Sequence, residues 1–140
     1  MEGTYTGKVS TINKDGSSHV TPIWYILDEN NHITFTTYSK SVKGKNLIRD
    51  PRISFCVDDQ VPPFSFVIVN GIAEVISKPS DLLTWTTKIA ERYMGKNLSD
   101  EYGKRNAVEG DCSLKSFQQK LLARRTYQFN NFQIYRFLTV

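Results

Sequence analysis

Residues 18 to 27, Ser-His-Val-Thr-Pro-Ile-Trp-Tyr-Ile-Leu, constrain the fold more than any other stretch of this chain. In an extended backbone Val20, Pro22, Trp24 and Ile26 fall on one face, and Ile23, Tyr25 and Leu27 on the other. A strand apolar on both faces needs cover on both. A barrel wall provides it when its outer face meets another element or a second subunit. A second long strand is expected over Ser65 to Ile76, entered from Pro62-Pro63. Gly71 inside it marks a bulge or a close backbone approach. Shorter alternating strands are expected over Thr4 to Ile12, His32 to Thr37 and Arg52 to Val57, with turns at Asn13-Lys14-Asp15-Gly16 and Asp28-Glu29-Asn30-Asn31.

Helices punctuate these strands. Ser77-Lys78-Pro79-Ser80-Asp81 has the capping chemistry to start one, with Leu82, Leu83, Trp85, Thr86, Ile89, Ala90 and Tyr93 as its buried stripe and Gly95 as its stop. Ser99-Asp100-Glu101 can start a second, short one. The expectation is one mainly β domain with α elements, about six antiparallel strands and two or three helices.

The run from Thr36 to Arg52 carries the most chemistry. It leaves a strand, opens a helix that Ser39 or Ser41 can cap, and must stop at Asp50-Pro51, because proline disfavours helix in the residue before it. Lys40, Lys43, Lys45, Arg49 and Arg52 lie within a helix length of the positive end, a good cradle for a phosphate. A solvated basic helix has the same composition.

Charge and cysteine content narrow the classes. The net charge of +4 is uneven: residues 1–111 hold 14 acidic and 13 basic residues, whereas the last 29 hold five basic residues and no acid. The body is therefore not basic, and a nucleic-acid partner would rest on the tail alone. No stretch of about 18 apolar residues exists to span a membrane. Cys56 and Cys112 are too few for a disulfide framework, so a reducing cytoplasm is the expected setting. His19 and His32 have no partners at ligand spacing, so no metal site is expected.

Ser41-x-Lys43-x-x-Asn46-Leu47-x-Arg49-Asp50-Pro51-Arg52 resembles the cofactor-phosphate segment of the pyridoxamine 5'-phosphate oxidase-like (PPOX class) flavin and deazaflavin oxidoreductases. The flanks match in order: Asp15-Gly16, His19 to Tyr25, Pro62 to Val67, Gly71 to Glu74, Arg92 to Gly95 and Tyr102 to Asn106. They are most similar to the branch that depends on the deazaflavin coenzyme F420. The resemblance runs from about Gly3 to Gly110 and implies a split β-barrel of the FMN-binding type.

It also implies a site. Lys43 would pair with the cofactor phosphate, with Ser41 adding a hydroxyl and Asn46 and Leu47 shaping the pocket. Thr36 and Thr37 would reach the phosphate or ribityl chain, or serve only as good strand residues. Val20, Thr21, Pro22 and Trp24 would wall the ring system, with Trp24 equally placed for the core. Pro62, Pro63, Phe64 and Phe66 would reach a neighbouring subunit's cofactor, giving a homodimer with shared sites. Arg92 and Tyr93 would approach the open side. Coenzyme F420 is the first choice of cofactor and FMN the second. The implied function is an oxidoreductase passing a hydride between that cofactor and a small conjugated organic acceptor. No catalytic side chain is singled out, because such a cofactor carries the hydride itself. The alternative is a non-catalytic flavin or deazaflavin carrier on the same fold.

The end of the chain departs from the resemblance. Cys112 to Leu122 reads polar and helix-like where an apolar strand with a short Pro-Thr-Lys-like turn should complete the barrel. One choice of codons for this segment, read in another frame, gives LVKIVPTKVI, which is that strand. Residues 112–140 therefore read as an atypical tail produced by a shifted frame. The chain also starts almost directly on its first strand, without the short leading helix the resemblance would supply.

Overall fold

The computed structural model describes residues 4–62, 64–76, 79–107 and 112–121. Its elements are β1 (Gly7–Ile12), β2 (Ser18–Ile23), β3 (Ile26–Leu27), β4 (Ile33–Tyr38), α1 (Val42–Arg49), β5 (Arg52–Asp58), β6 (Phe66–Ile76), α2 (Pro79–Met94), α3 (Lys96–Asn106) and β7 (Cys112–Leu121). The seven strands form one antiparallel sheet in the order β2-β1-β5-β6-β7-β4-β3.

The run from Ser18 to Leu27 is not one strand, as its alternation implied. It breaks at Trp24-Tyr25 into β2, which pairs with β1, and β3, which pairs with β4. The two halves thus occupy opposite ends of the strand order, and the bend between them joins those ends covalently. This closure makes the sheet a split barrel. A break must exist because one straight strand cannot reach two partners so far apart in the sheet. The Tyr25 N–H, lost to the ladder, donates instead to the Tyr93 hydroxyl at 3.3 Å. That hydroxyl donates in turn to the Tyr5 carbonyl at 2.9 Å.

Inside the barrel, Val9, Tyr25, Ile33, Phe35, Phe55, Val57 and Val69 are fully shielded from water. Tyr25 meets Phe55 edge to face, with centroids 4.8 Å apart. Burying seven side chains of this size removes the hydrophobic penalty that dominates the unfolded chain. On the opposite face, register places Val20, Ser10, Ser54 and Asn70 side by side across four strands.

Other expectations shift in detail. The ladder between β5 and β6 runs through Gly71 opposite Ile53 without a bulge. The third helix begins at Lys96 rather than Ser99, because Gly95, at φ +81°, ends α2 and caps α3 in one residue. Leu83 is exposed, leaving Leu82, Thr86, Ile89 and Ala90 as the buried stripe of α2.

The largest correction is at the C-terminal side. Cys112–Leu121 is a strand, not a helix, and lies between β6 and β4. Two strand edges offer unpaired main-chain groups there, and pairing uses backbone atoms whatever the side chains. The facing edges of β4 and β6 are therefore covered. Residues 122–140, the rest of the atypical tail, lie outside the described residues.

Candidate functional site

Helix α1 starts where β4 ends, and local chemistry fixes it there. Ser41 is the N-cap: its hydroxyl accepts from the Gly44 N–H at 3.0 Å and donates to the Tyr38 carbonyl at 2.7 Å. Gly44 is required by close approach, since a Cβ there would stand 2.2 Å from the Tyr38 carbonyl oxygen. Asn46, 3% exposed, ties the helix to the first hairpin. Its Nδ2 donates to Thr11 Oγ1 at 3.2 Å and Asn13 Oδ1 at 2.9 Å, and its Oδ1 accepts from Arg49 at 3.1 Å. Leu47 plugs the core. At the far end Arg52 pairs with Asp50 at 2.7 Å, which lowers the Asp50 carboxyl to about 2.

So anchored, α1 turns Lys43 into a cleft of about 280 Å³. Pro22, Ile23 and Trp24 of the bent β2–β3 run form one wall, and Thr36 of β4 stands beside Lys43. Thr86 and Ile89 of α2, with Arg105 and Asn106 of α3, complete the lining. Burial pulls the Lys43 ammonium down to about 8. Its Nζ lies 5.5 Å from the Phe35 ring centroid, and among the described residues it has no acidic partner. A half-buried cation without a counter-ion is the cleft's main electrostatic feature. The first-turn N–H groups of Val42 and Lys43 have no acceptor within the helix.

Trp24 stacks on Tyr93, with centroids 4.9 Å apart and planes 4° from parallel. Tyr102 lies beyond it at 6.4 Å, and the Arg105 guanidinium sits 4.3 Å over the Tyr102 ring. Trp24 is therefore both wall and packing element. Arg92 covers the Tyr25 ring at 4.4 Å and donates to its hydroxyl at 3.4 Å, bracing the barrel corner instead of lining the cleft.

Of the expected site residues, the cleft brings together Pro22, Trp24, Thr36 and Lys43. Thr37, Ser41, Asn46 and Leu47 stand behind it. Thr37 is buried with its hydroxyl 3.3 Å from that of Ser41, and Ser41 already has partners for both donor and acceptor. Thr21 turns inward, its hydroxyl buried without a hydrogen-bond partner among the described residues. Val20 and Phe64 point outward, 60% and 62% exposed. Phe64 has a positive φ of 55°, and Pro63 lies outside the described residues. Sequence reasoning passed over Thr86, Ile89 and Arg105 as lining residues. The Tyr102 to Asn106 stretch was the available signal for Arg105.

Several solved structures share this architecture. A conserved hypothetical protein from Mycobacterium tuberculosis is 27% identical, with 85% of this chain and 75% of that one covered at a TM-score of 0.71. A protein described as F420 reductase is 22% identical, with 85% and 89% covered at 0.69. HutZ, the heme storage protein from Vibrio cholerae, is 14% identical, with 82% and 81% covered at 0.67. The last two show likeness of fold alone. No curated protein matches the sequence. The family model described as pyridoxamine 5'-phosphate oxidase matches residues 1–114, and the chain, a split barrel with its cleft against α1, belongs to that family.

Proposed function

We propose that the protein is an oxidoreductase that passes a hydride between a bound deazaflavin, coenzyme F420, or FMN and a small conjugated organic acceptor. The observation that carries this reading is Lys43, a half-buried cation with no acidic partner among the described residues, set in a cleft walled by Pro22, Ile23 and Trp24. An anionic phosphate supplies the missing charge, and the open N–H groups of the α1 N-terminus favour the same ligand. Pro22 and Trp24 offer a surface for a planar ring system, and Thr36 a hydroxyl beside it. The bound cofactor would supply the hydride chemistry. This chain's residues hold it, orient it and keep water from one face.

The similarity to a protein described as F420 reductase favours the deazaflavin. Neighbours described as heme-binding favour another occupant, but no histidine or cysteine lines the cleft among the described residues. That donor set suits a phosphate better than heme iron. Val20, Phe64 and Ile72 stand exposed on the outer surface, as expected of a homodimer in which each site is completed by the second chain. A non-catalytic carrier of the same cofactor would bind without turnover.

The test is a titration with FMN and coenzyme F420 followed by absorbance and fluorescence, then an assay of reduced-cofactor oxidation with a panel of conjugated acceptors. Binding with turnover supports the oxidoreductase. Binding without turnover on any acceptor supports the carrier, and no binding of either cofactor refutes both.

A further inference from the structure

Arg105 is the second cation of the cleft, and holding a cofactor phosphate at Lys43 gives it no task. The lining contains these two cations and no Asp or Glu. They arrive on different elements, Lys43 from α1 and Arg105 from the last turn of α3, with the apolar wall of Pro22, Ile23 and Trp24 in the same cleft. The Arg105 guanidinium is laid against Tyr102, and its Nε donates to Asn106 Oδ1 at 3.3 Å. Stacking fixes the plane and the Nε contact occupies one edge. The terminal amino groups remain as the planar fork that matches a carboxylate in bidentate fashion. No acidic side chain pairs with Arg105 among the described residues.

The backbone beneath this fork is held firmly. The Thr86 hydroxyl donates to the Gly103 carbonyl at 2.9 Å. Gly103 presses so close to α2 that a Cβ would lie 2.3 Å from the Thr87 hydroxyl oxygen and 2.9 Å from the Thr87 Cα. Asn106 follows in the same turn and also lines the cleft. A fork presented from a pinned turn, partly stacked and facing an acid-free cleft, is suited to reading one end of a ligand.

We propose that Arg105 and Asn106 bind a carboxylate of the substrate, so that the acceptor is a small conjugated carboxylic acid held at the α3 end of the cleft, beside the cofactor ring that Pro22 and Trp24 support. This rests on the reading above for the placing of the cofactor at Lys43. A carboxylate borne by the cofactor has the same chemistry, and the experiment separates the two sources.

The probes are cinnamate and cinnamamide, alike in size and conjugation and differing in charge at pH 7. Each is titrated calorimetrically into the protein, with and without saturating FMN or coenzyme F420. The parent protein is expected to prefer cinnamate by about tenfold, the scale of an exposed charge-assisted contact. Arg105→Gln should bind both probes equally, and Arg105→Lys should keep part of the preference. FMN and coenzyme F420 should bind Arg105→Gln as they bind the parent. Equal binding of the probes by the parent, or a preference that survives in Arg105→Gln, overturns the proposal. So does a loss of cofactor affinity in Arg105→Gln, which assigns the fork to the cofactor. Should the protein bind neither cofactor, the oxidoreductase reading fails by itself. The probe preference, measured on the protein alone with Lys43→Ala as the background, still decides the role of Arg105.

Discussion

Lys43 should make cofactor binding depend on pH in one direction only. Burial holds its ammonium near 8 instead of 10.5, and desolvation is the cause. Below pH 8 the lysine is already charged and affinity for an anion is flat. Above pH 8 it must first take up a proton, so affinity falls between the free value near 8 and the higher value in the complex. The apparent Kd should rise about tenfold from pH 7 to pH 9. A charge-assisted hydrogen bond to a partly buried phosphate contributes roughly 1.5–3 kcal/mol, so Lys43→Ala should weaken binding about 10- to 150-fold and flatten the profile. Lys43→Arg should flatten it while keeping most of the affinity, since a guanidinium does not titrate in this range. Lys14→Ala, exposed in the first hairpin turn, serves as control. For the cofactor-free protein the sign reverses. The unfolded chain holds more protons between pH 8 and 10.5, so stability rises with pH across that window, and the destabilisation is complete below 8. Lys43→Met should therefore raise Tm at pH 7 while removing cofactor affinity. Fluorescence titration at several pH values, beside thermal melts, checks all of this. Equal affinity of Lys43→Ala and the parent, with the same fall above pH 8, would show that the phosphate sits elsewhere.

Gly44→Ala should destabilise the protein by about 1–3 kcal/mol in denaturant melts, because its Cβ would meet the main-chain oxygens of Tyr38 at 2.2 Å and Ser39 at 2.7 Å. A melt unchanged from the parent would mean that α1 can lift away from β4 freely. Light scattering at micromolar concentration should give twice the chain mass, and a monomeric mass refutes the shared-site dimer. Resequencing the gene should reveal a shifted frame from about Cys112 onward; a confirmed sequence for residues 112–140 removes that idea.

Much of this architecture is legible in residue order. Alternation located the strands of the first half, except that β2 and β3 were read as one, and Ser39 or Ser41 with Asp50-Pro51 bracketed α1 to within two residues. Lys43, two residues past the Ser41 N-cap, was singled out through the resemblance, and α1 turns it into the cleft. The corner at Trp24-Tyr25 was not, since alternation continues through it and only the choice of pairing partners breaks the strand. Strand β7 was misread for a related reason: its side chains lack a strand pattern, and two waiting edges impose one. Arg105 escaped because its significance depends on α2 and α3 lying close enough for Thr86 to bond Gly103, a proximity that helical periodicity does not encode. Thr37, Ser41 and Asn46, expected at the site, hydrogen-bond around the start of α1 and to the first hairpin, and stand behind the cleft lining.

The position of β7 has a kinetic consequence. β4 pairs with β3 and β7, and β3 pairs only with β4, so this corner joins the rest of the ladder through the final described strand. Thr34 must find Ser116, far along the chain, before β4 can dock beside β6 through β7. Such non-local pairing carries a loop-closure cost that the early hairpins β1–β2 and β5–β6 avoid. During synthesis those hairpins can form while β4 waits for residues 112–121 to leave the ribosome. The Thr36 side of the cleft is thus among the last parts of the molecule to be assembled, and errors at the end of the chain reach it directly.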